Sequence, residues 1–205
     1  MKHNILIFSG SAGSGKGTVL KIARELDPRL KLSISMTTRA PRPGEVHGRE
    51  YYFVTREEFL ETLKEDGFLE HTEYCGNFYG TPKKAFFGMI DEGFCPVLEI
   101  ETDGAEQVMS RLDSYQSVYL TPPDYATLEA RLRGRGTETE ESIQKRLATA
   151  REEVFRSSLY RNIVINPDGH AELAAQAIVD LVEKGETDST LVVTDQEKFL
   201  KNFQG

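Results

Sequence analysis

A doubly wound α/β fold is predicted by three features of this 205-residue chain. The apolar run Ile5, Leu6, Ile7 and Phe8 leads straight into Gly-Ser-Ala-Gly-Ser-Gly-Lys-Gly-Thr at positions 10–18, and a helical pattern follows. Short apolar or β-branched runs at 5–9, 97–101, 117–120 and 163–166 are separated by helical stretches, as buried parallel strands are. Two stretches, 32–84 and about 124–156, break that alternation and read as excursions from one core. Alternating strands and helices pack as a parallel sheet covered on both faces, with ligands beyond the carboxyl ends of the strands.

The segment 10–18 carries the clearest chemistry. Gly10, Gly13 and Gly15 let the backbone turn tightly, so that its N–H groups converge on an anion. The N-terminus of the following helix adds partial positive charge at the same spot. Lys16 supplies a full charge for the outer phosphates of a nucleotide, and Ser11, Ala12 and Ser14 complete the loop. Gly17 stands where a hydroxyl residue often follows the lysine, and the hydroxyl comes one place later, on Thr18. A glycine-rich turn with one solvated lysine needs neither the strand before nor the helix after. A phosphate-binding P-loop is therefore the preferred reading.

The helices show in their apolar spacing. Val19, Leu20, Ile22, Ala23 and Leu26 follow the loop, and Ile143, Leu147, Ala150 and Val154 recur at four, three and four. Leu173, Ala174, Ala177, Ile178, Leu181 and Val182 mark a helix near the end. Within 32–84, strands are expected at 32–35 and 49–54, a helix at 56–65 with Phe59, Leu60 and Leu63 inward, and a turn between strands at 74–80. In the second excursion Gly134 and Gly136 lie between helical stretches, with Thr137 and Glu140 offering a capping box. Residues 184–190 are polar and linker-like. Residues 191–205 form a short amphipathic tail, expected to dock on the core, with a partner or dimer contact as the alternative.

Composition narrows the function. The chain is 39% hydrophobic and 28% charged, and no apolar run approaches the ~20 residues of a membrane span. The N-terminal residues lack a signal-peptide pattern, and Cys75 and Cys95 lack metal-ligand spacing, so a cytoplasmic protein with two reduced thiols is expected. The four histidines form no metal-like group. A net charge of −8 argues against a nucleic-acid partner, as does the lack of interleaved basic and aromatic residues. Arginines nevertheless cluster, at 39 and 42, at 131, 133 and 135, and at 146 and 151. Their planar forks suit a small, highly charged anion, although each arginine alone would pass for a solvated surface residue.

Three segments resemble guanylate kinases. They are the run 33–51 (SISMTTRAPRPGEVHGREY), the run 68–81 (FLEHTEYCGNFYGT) and the run 131–146 (RLRGRGTETEESIQKR). With the P-loop, the resemblance covers roughly residues 4–183 as a collinear set of motifs. It implies a P-loop core at about 1–31, 85–123 and 157–183, an inserted GMP-binding subdomain at about 32–84 and a helical lid at about 124–156. Residues 184–205 fall outside it.

The resemblance also implies roles. Arg39 and Arg42, on a loop stiffened by Pro41 and Pro43, would cage the GMP phosphate together with Tyr51 and Tyr79, with Glu45 orienting the arginines. Glu70 would read guanine, because a carboxylate can accept from N1–H and the 2-amino group at once, whereas adenine offers no donor at either place. Ser35 and Thr81 would place hydroxyls on the base. Arg131, Arg135 and Arg146 would fold over the transferring phosphoryl group with Lys16, leaving Arg133 dispensable, and Asn166 would lie on the adenine side with residues 10–18. The family commonly carries Asp-x-Asp and then Gln-Gly where this chain has Glu99, Glu101, Asp103 and Gly104. Glu99, with Thr18, would hold Mg²⁺ through water, and Glu101 would face the guanine or the arginine cage.

The expected reaction is transfer of the γ-phosphoryl group of MgATP to GMP. A related P-loop kinase acting on a ribose bisphosphate and a non-catalytic binding module of the same fold are the alternatives. Glu70, Tyr51 and Tyr79 speak against the first, and Lys16 with the lid arginines against the second. Oligomeric state is open at this level.

Overall fold

The computed structural model describes residues 5–134 and 139–203. In chain order the strands are β1 (Leu6–Gly10), β2 (Leu30–Leu32), β3 (Met36–Thr37), β4 (Tyr52–Phe53), β5 (Phe68–Tyr74), β6 (Asn77–Pro82), β7 (Cys95–Glu99), β8 (Gln116–Thr121) and β9 (Asn162–Ile165). The helices are α1 (Lys16–Leu26), α2 (Arg56–Lys64), α3 (Lys83–Asp91), α4 (Thr102–Met109), α5 (Tyr125–Arg133), α6 (Glu140–Phe155), α7 (Ala171–Lys184) and α8 (Gln196–Lys201).

The core sheet is parallel throughout, in the order β2-β7-β1-β8-β9. Both faces of β1 are covered, which is why its sequence is an unbroken apolar run. Leu6 and Phe8 face α1 and α7, among Val19, Ala23, Ile178 and Val182. Ile5 and Ile7 face the opposite layer, among Phe86, Val108, Leu147 and Val154. Each such side chain contributes about 1.5–3 kcal/mol on burial, so the two layers hold the sheet. Strand order reverses beside β1, and the glycine-rich loop leaves its carboxyl end. The loop therefore opens into the crevice where ligands of such sheets bind.

A second, four-stranded sheet has the order β4-β3-β6-β5. Its pairings are antiparallel except between β3 and β4. Cys75 and Gly76, with φ of 50° and 76°, make the tight turn of the β5–β6 hairpin, matching the two positive φ angles of a type I′ turn. Helix α2 closes this sheet by seating Phe59 between Phe68 and Phe78, with ring centroids 4.4 and 5.3 Å away. A reciprocal capping box between Thr55 and Glu58 starts α2.

Several expectations shift. The strand expected at 32–35 splits, because Leu30–Leu32 pair with β7 as the edge of the core sheet and only Met36–Thr37 join the second sheet. Leu30 is buried beneath the core helices, which outweighs the weak patterning of Ser33 to Ser35. Strand β7 occupies Cys95–Glu99 rather than 97–101, because Glu101 already serves as the N-cap position of α4. Of 49–54, only Tyr52–Phe53 form a strand, while Arg49 and Glu50 pair with each other. Phe59 is fully buried, whereas Leu60 and Leu63 are half-buried. Helix α6 is capped by Thr139, whose hydroxyl accepts from Ser142 N at 3.3 Å, instead of by Thr137, which lies outside the described residues. Leu173 is 52% exposed, unlike Ala174, Ala177, Ile178, Leu181 and Val182, which are buried. The tail docks. Val192 bridges Val164 of β9, and Phe199 and Phe203 are buried in the core.

Candidate functional site

The loop between β1 and α1 is held by backbone geometry. Gly15 caps α1 in the left-handed region (φ 86°), and Gly13 has φ 82°. Side chains at Gly10 or Gly15 would also collide, with Leu120 O at 2.3 Å and Asn166 Nδ2 at 2.5 Å. The Asn166 amide donates to Ser14 O at 2.7 Å, bracing the loop from β9. No acidic residue stands in the first turn of α1, so its positive end is left for an anion. Lys16 folds back to donate to Gly10 O, and to Ser11 O at 3.3 Å. A Cβ at Gly17 would meet nothing within 4 Å, and Thr18 is exposed beside it.

A cavity of about 290 Å³ lies between the second sheet and α4, lined by Ser35, Tyr51, Glu70, Tyr79, Glu101 and Gly104 among others. Glu70 is 5% exposed, on β5 where the pairing register slips between Phe68 and His71. Such a slip re-aims side chains, and here it accompanies a carboxylate turned inward. Thr81 Oγ1 donates to Glu70 Oε1 at 2.6 Å. Burial raises the Glu70 carboxyl above its ordinary range, while Thr81 and Arg111 pull it down. A Cβ at Gly104 would lie 3.1 Å from Glu70 Oε2, so glycine there leaves that oxygen its room.

A second cavity, of about 450 Å³, is lined by Ser9, Gly10, Lys16, Thr102 and Glu153. Both cavities are also lined by Tyr51, Glu99, Ile100 and Glu101, so the two meet at the end of β7. A carboxylate-lined cavity thus opens beside the lysine of the glycine-rich loop.

The 39–51 loop supplies the charge above the first cavity. Arg39 pairs with Glu45 at 2.9 Å and sits over the rings of Tyr51 and Phe53 at 5.5 and 5.8 Å. Glu45 also accepts from Arg42 N at 2.8 Å, and these contacts hold its carboxyl below the usual range. Tyr51 and Tyr79 meet edge to face at 6.0 Å. The Arg42 side chain is exposed.

Among the arginines of the second excursion, Arg131 lies against the loop. It donates to Asp168 Oδ1 at 2.6 Å and Asn166 O at 2.8 Å, with Gly13 O and Ser14 O each at 3.4 Å. Arg133 turns away and is taken up by Glu129 and Glu140. Arg146 is on α6, and Arg135 lies outside the described residues. Glu99 and Glu101 are both exposed at the junction of the cavities.

Some functional geometry escapes sequence reasoning. The Gln107 side chain accepts from His71 N at 3.3 Å and donates to His71 O at 3.2 Å, as a neighbouring strand would. Arg111 Nη1 donates to the carbonyls of Phe68 and Leu69, each at 2.9 Å. Together they fix the backbone on both sides of Glu70. Their places three and seven after Gly104 have helical spacing, the signal that could have found them, although Arg111 lies in the turn just after α4. Glu153 is likewise seven after Arg146 on α6. Its carboxyl is raised by burial, while Lys16 pulls it down. Arg111→Ala is expected to raise the KM for the ligand of the first cavity up to about 10²-fold, as a 1 Å displacement of a positioned group can, with the KM for the ligand of the glycine-rich loop unchanged. Steady-state kinetics with each substrate varied would check this.

A glycine-rich loop between β1 and α1, above a parallel sheet covered by helices, defines a P-loop α/β fold. The guanylate kinase family profile matches residues 2–184. Guanylate kinase of Trichormus variabilis is 42% identical over 171 residues, 83% of this chain and 86% of that one. Guanylate kinase of Lactococcus lactis subsp. lactis is 45% identical over 179 residues, 87% of this chain and 86% of that one. The crystal structure of guanylate kinase from Anaplasma phagocytophilum matches with a TM-score of 0.65 at 27% identity, covering 98% of this chain and 95% of that one. The chain belongs to the guanylate kinase family. No helix among the described residues is long and apolar enough to cross a membrane.

Proposed function

We propose that this chain phosphorylates GMP with MgATP, releasing ADP and GDP. The observation that carries the reading is Glu70, a buried carboxylate with one oxygen on Thr81 and the other beside Gly104, in a cavity that meets the Lys16 cavity. An ionised acceptor of two hydrogen bonds suits guanine N1–H and its 2-amino group. With adenine it would gain no donor beyond Thr81, which is costly for a buried carboxylate. Ser35 and Glu101 line the same cavity, where Ser35 and Thr81 serve the base and Glu101 faces the base or the arginine cage.

In this reading Arg39, Arg42, Tyr51 and Tyr79 hold the GMP phosphate, with Glu45 positioning Arg39 and the 42 backbone. An oxygen of that phosphate attacks the γ-phosphorus in line. The bond from the γ-phosphorus to its bridging oxygen breaks, and ADP leaves with the electron pair. No side chain needs to act as nucleophile, because alignment and charge neutralisation carry the acceleration. Residues 10–18 and Lys16 bind the ATP phosphates, Asn166 braces the loop on the adenine side, and Arg131, Arg135 and Arg146 neutralise charge on the transferring group.

The hydroxyl of Thr18 and the carboxylate of Glu99 are hard oxygen donors, of the kind Mg²⁺ accepts alongside water and phosphate. They would hold the ion through water, and the ion would supply positive charge to offset that of the phosphates. We place the protein in the cytoplasm, in keeping with two unbridged cysteines, Cys75 and Cys95.

Arg39→Ala tests the division of the site. GMP KM is expected to rise about 10²-fold, the value of a charge-assisted bidentate contact, with ATP KM within about twofold. Equal losses for both substrates would contradict the assignment.

A further inference from the structure

We propose that residues 191–203 are a positioning element for the ATP half of the site, acting through helix α5. They follow the family-matched residues, which end at 184. Helix α7 stops at Gly185 in the left-handed region, with Gly185 N donating to Leu181 O at 3.0 Å. The chain then returns to the free edge of the core sheet. Ile165 N donates to Leu191 O and Val193 N to Ile163 O, each at 2.9 Å. The tail thus extends the sheet beside β9, the strand that leads into Asn166. Helix α8 begins at Asp195, whose carboxylate accepts from Lys198 N at 2.9 Å.

The far end of the tail meets α5. Asn202 O accepts from Tyr125 N at 3.2 Å, satisfying one of the N–H groups that open a helix. The neighbouring Asp124 side chain takes Thr127 N at 2.8 Å, so tail and side chain share the cap. Phe199 and Phe203, with ring centroids 5.2 Å apart, are buried in the same cluster as Leu128 and Leu132 of α5.

The same two leucines of α5 also meet the phosphate loop. A Cβ at Gly13 would stand 3.3 Å from Leu128 and 3.4 Å from Leu132. The same helix carries Arg131, which reaches Gly13 O, Ser14 O and Asn166 O. Helix α5 therefore joins tail to loop, and the tail also pairs with Ile165, the residue before Asn166, the loop's other brace. Displacing the tail releases both supports of the loop at once. By contrast, the hydrogen bonds that fix Glu70 and its backbone come from Thr81, from Gln107 of α4 and from Arg111 just beyond it, and the tail makes none of them. The consequence is directional: loss of the tail weakens the ATP side and spares the GMP side.

The inference rests on assigning the phosphate loop to ATP, and the test separates the two. Phe203→Ala is expected to raise ATP KM about five- to tenfold with GMP KM within about twofold, a split that general destabilisation does not produce. Phe203→Leu should restore most of the loss. A chain ending at Thr190 should show the same split, reversed by adding a synthetic 191–205 peptide. Because the shortened chain can fail to fold, hydrogen exchange on the intact enzyme supplies a second readout. ADP should slow exchange at 199–203 as well as at 10–18, and GMP should leave 199–203 unchanged, since coupling between sites is reciprocal. Equal changes in both KM values, or tail exchange indifferent to ADP while 10–18 responds, overturns the proposal. If ADP fails to protect 10–18 at all, the ATP assignment itself falls, and this inference with it.

Discussion

Lys16→Ala is expected to lower kcat by about 10²–10³-fold, the cost of removing one preorganised charge from a phosphoryl-transfer site. The reason lies in the loop's construction. Backbone N–H groups and the α1 terminus supply only partial charges, and Lys16 is the loop's one full cation at the mouth of the second cavity. It already lies on Gly10 O and Ser11 O, so little ordering remains when phosphates arrive. GMP affinity should stay within about twofold, because none of the Glu70 and Arg39 contacts involves it. Single-turnover rates with saturating ATP, beside calorimetric titration of GMP, would check both halves.

Glu70→Ala is expected to lower kcat/KM for GMP by about 10²–10³-fold, since two hydrogen bonds to a charged group are lost together. ATP KM should hold steady. Glu70→Gln is informative because it keeps the shape and one acceptor but places a donor against the guanine. The wild-type protein should also show an acid limb in GMP KM. Burial raises the Glu70 carboxyl, so as pH falls it takes up a proton above the ordinary carboxylate range and can no longer accept both bonds. The limb should vanish in Glu70→Gln. Folding stability of the unliganded protein responds in the opposite sense. A raised carboxyl pKa contributes stability that is present below the ordinary value and lost as pH rises through the raised one. The Glu70 contribution to the melting temperature should therefore increase on acidification across that window, while GMP binding weakens.

The fold was legible wherever local pattern and burial agree. The β1 run is apolar because both faces are covered, and the glycines at 10, 13 and 15 are each required by a clash or a positive φ. The second sheet was harder to read. Strands β3 and β4 pair over only two residues each, too short for alternation to show. Glu70 was readable only through the resemblance, because a single carboxylate after Phe68 and Leu69 looks like a surface charge. Its supports were unreadable for a different reason. Gln107 and Arg111 act on backbone groups of residues about forty positions away, and side-chain chemistry alone does not announce a backbone partner. Asn166 shows the same effect: a residue expected on the nucleotide side spends its amide on Ser14 O. The tail's amphipathic spacing predicted docking, but its contact with Tyr125 depends on tertiary placement.

The most direct measurement of the central claim is kcat/KM at fixed MgATP for GMP, IMP and AMP, with CMP, UMP and a ribose bisphosphate alongside. Reading by Glu70 predicts GMP first. IMP, which keeps N1–H but lacks the 2-amino group, should lose about 10–10²-fold, and AMP should lose more, as both donors go. The order should collapse in Glu70→Ala. Turnover of AMP or the ribose bisphosphate at a rate matching GMP would contradict the account and leave only the phosphate loop standing.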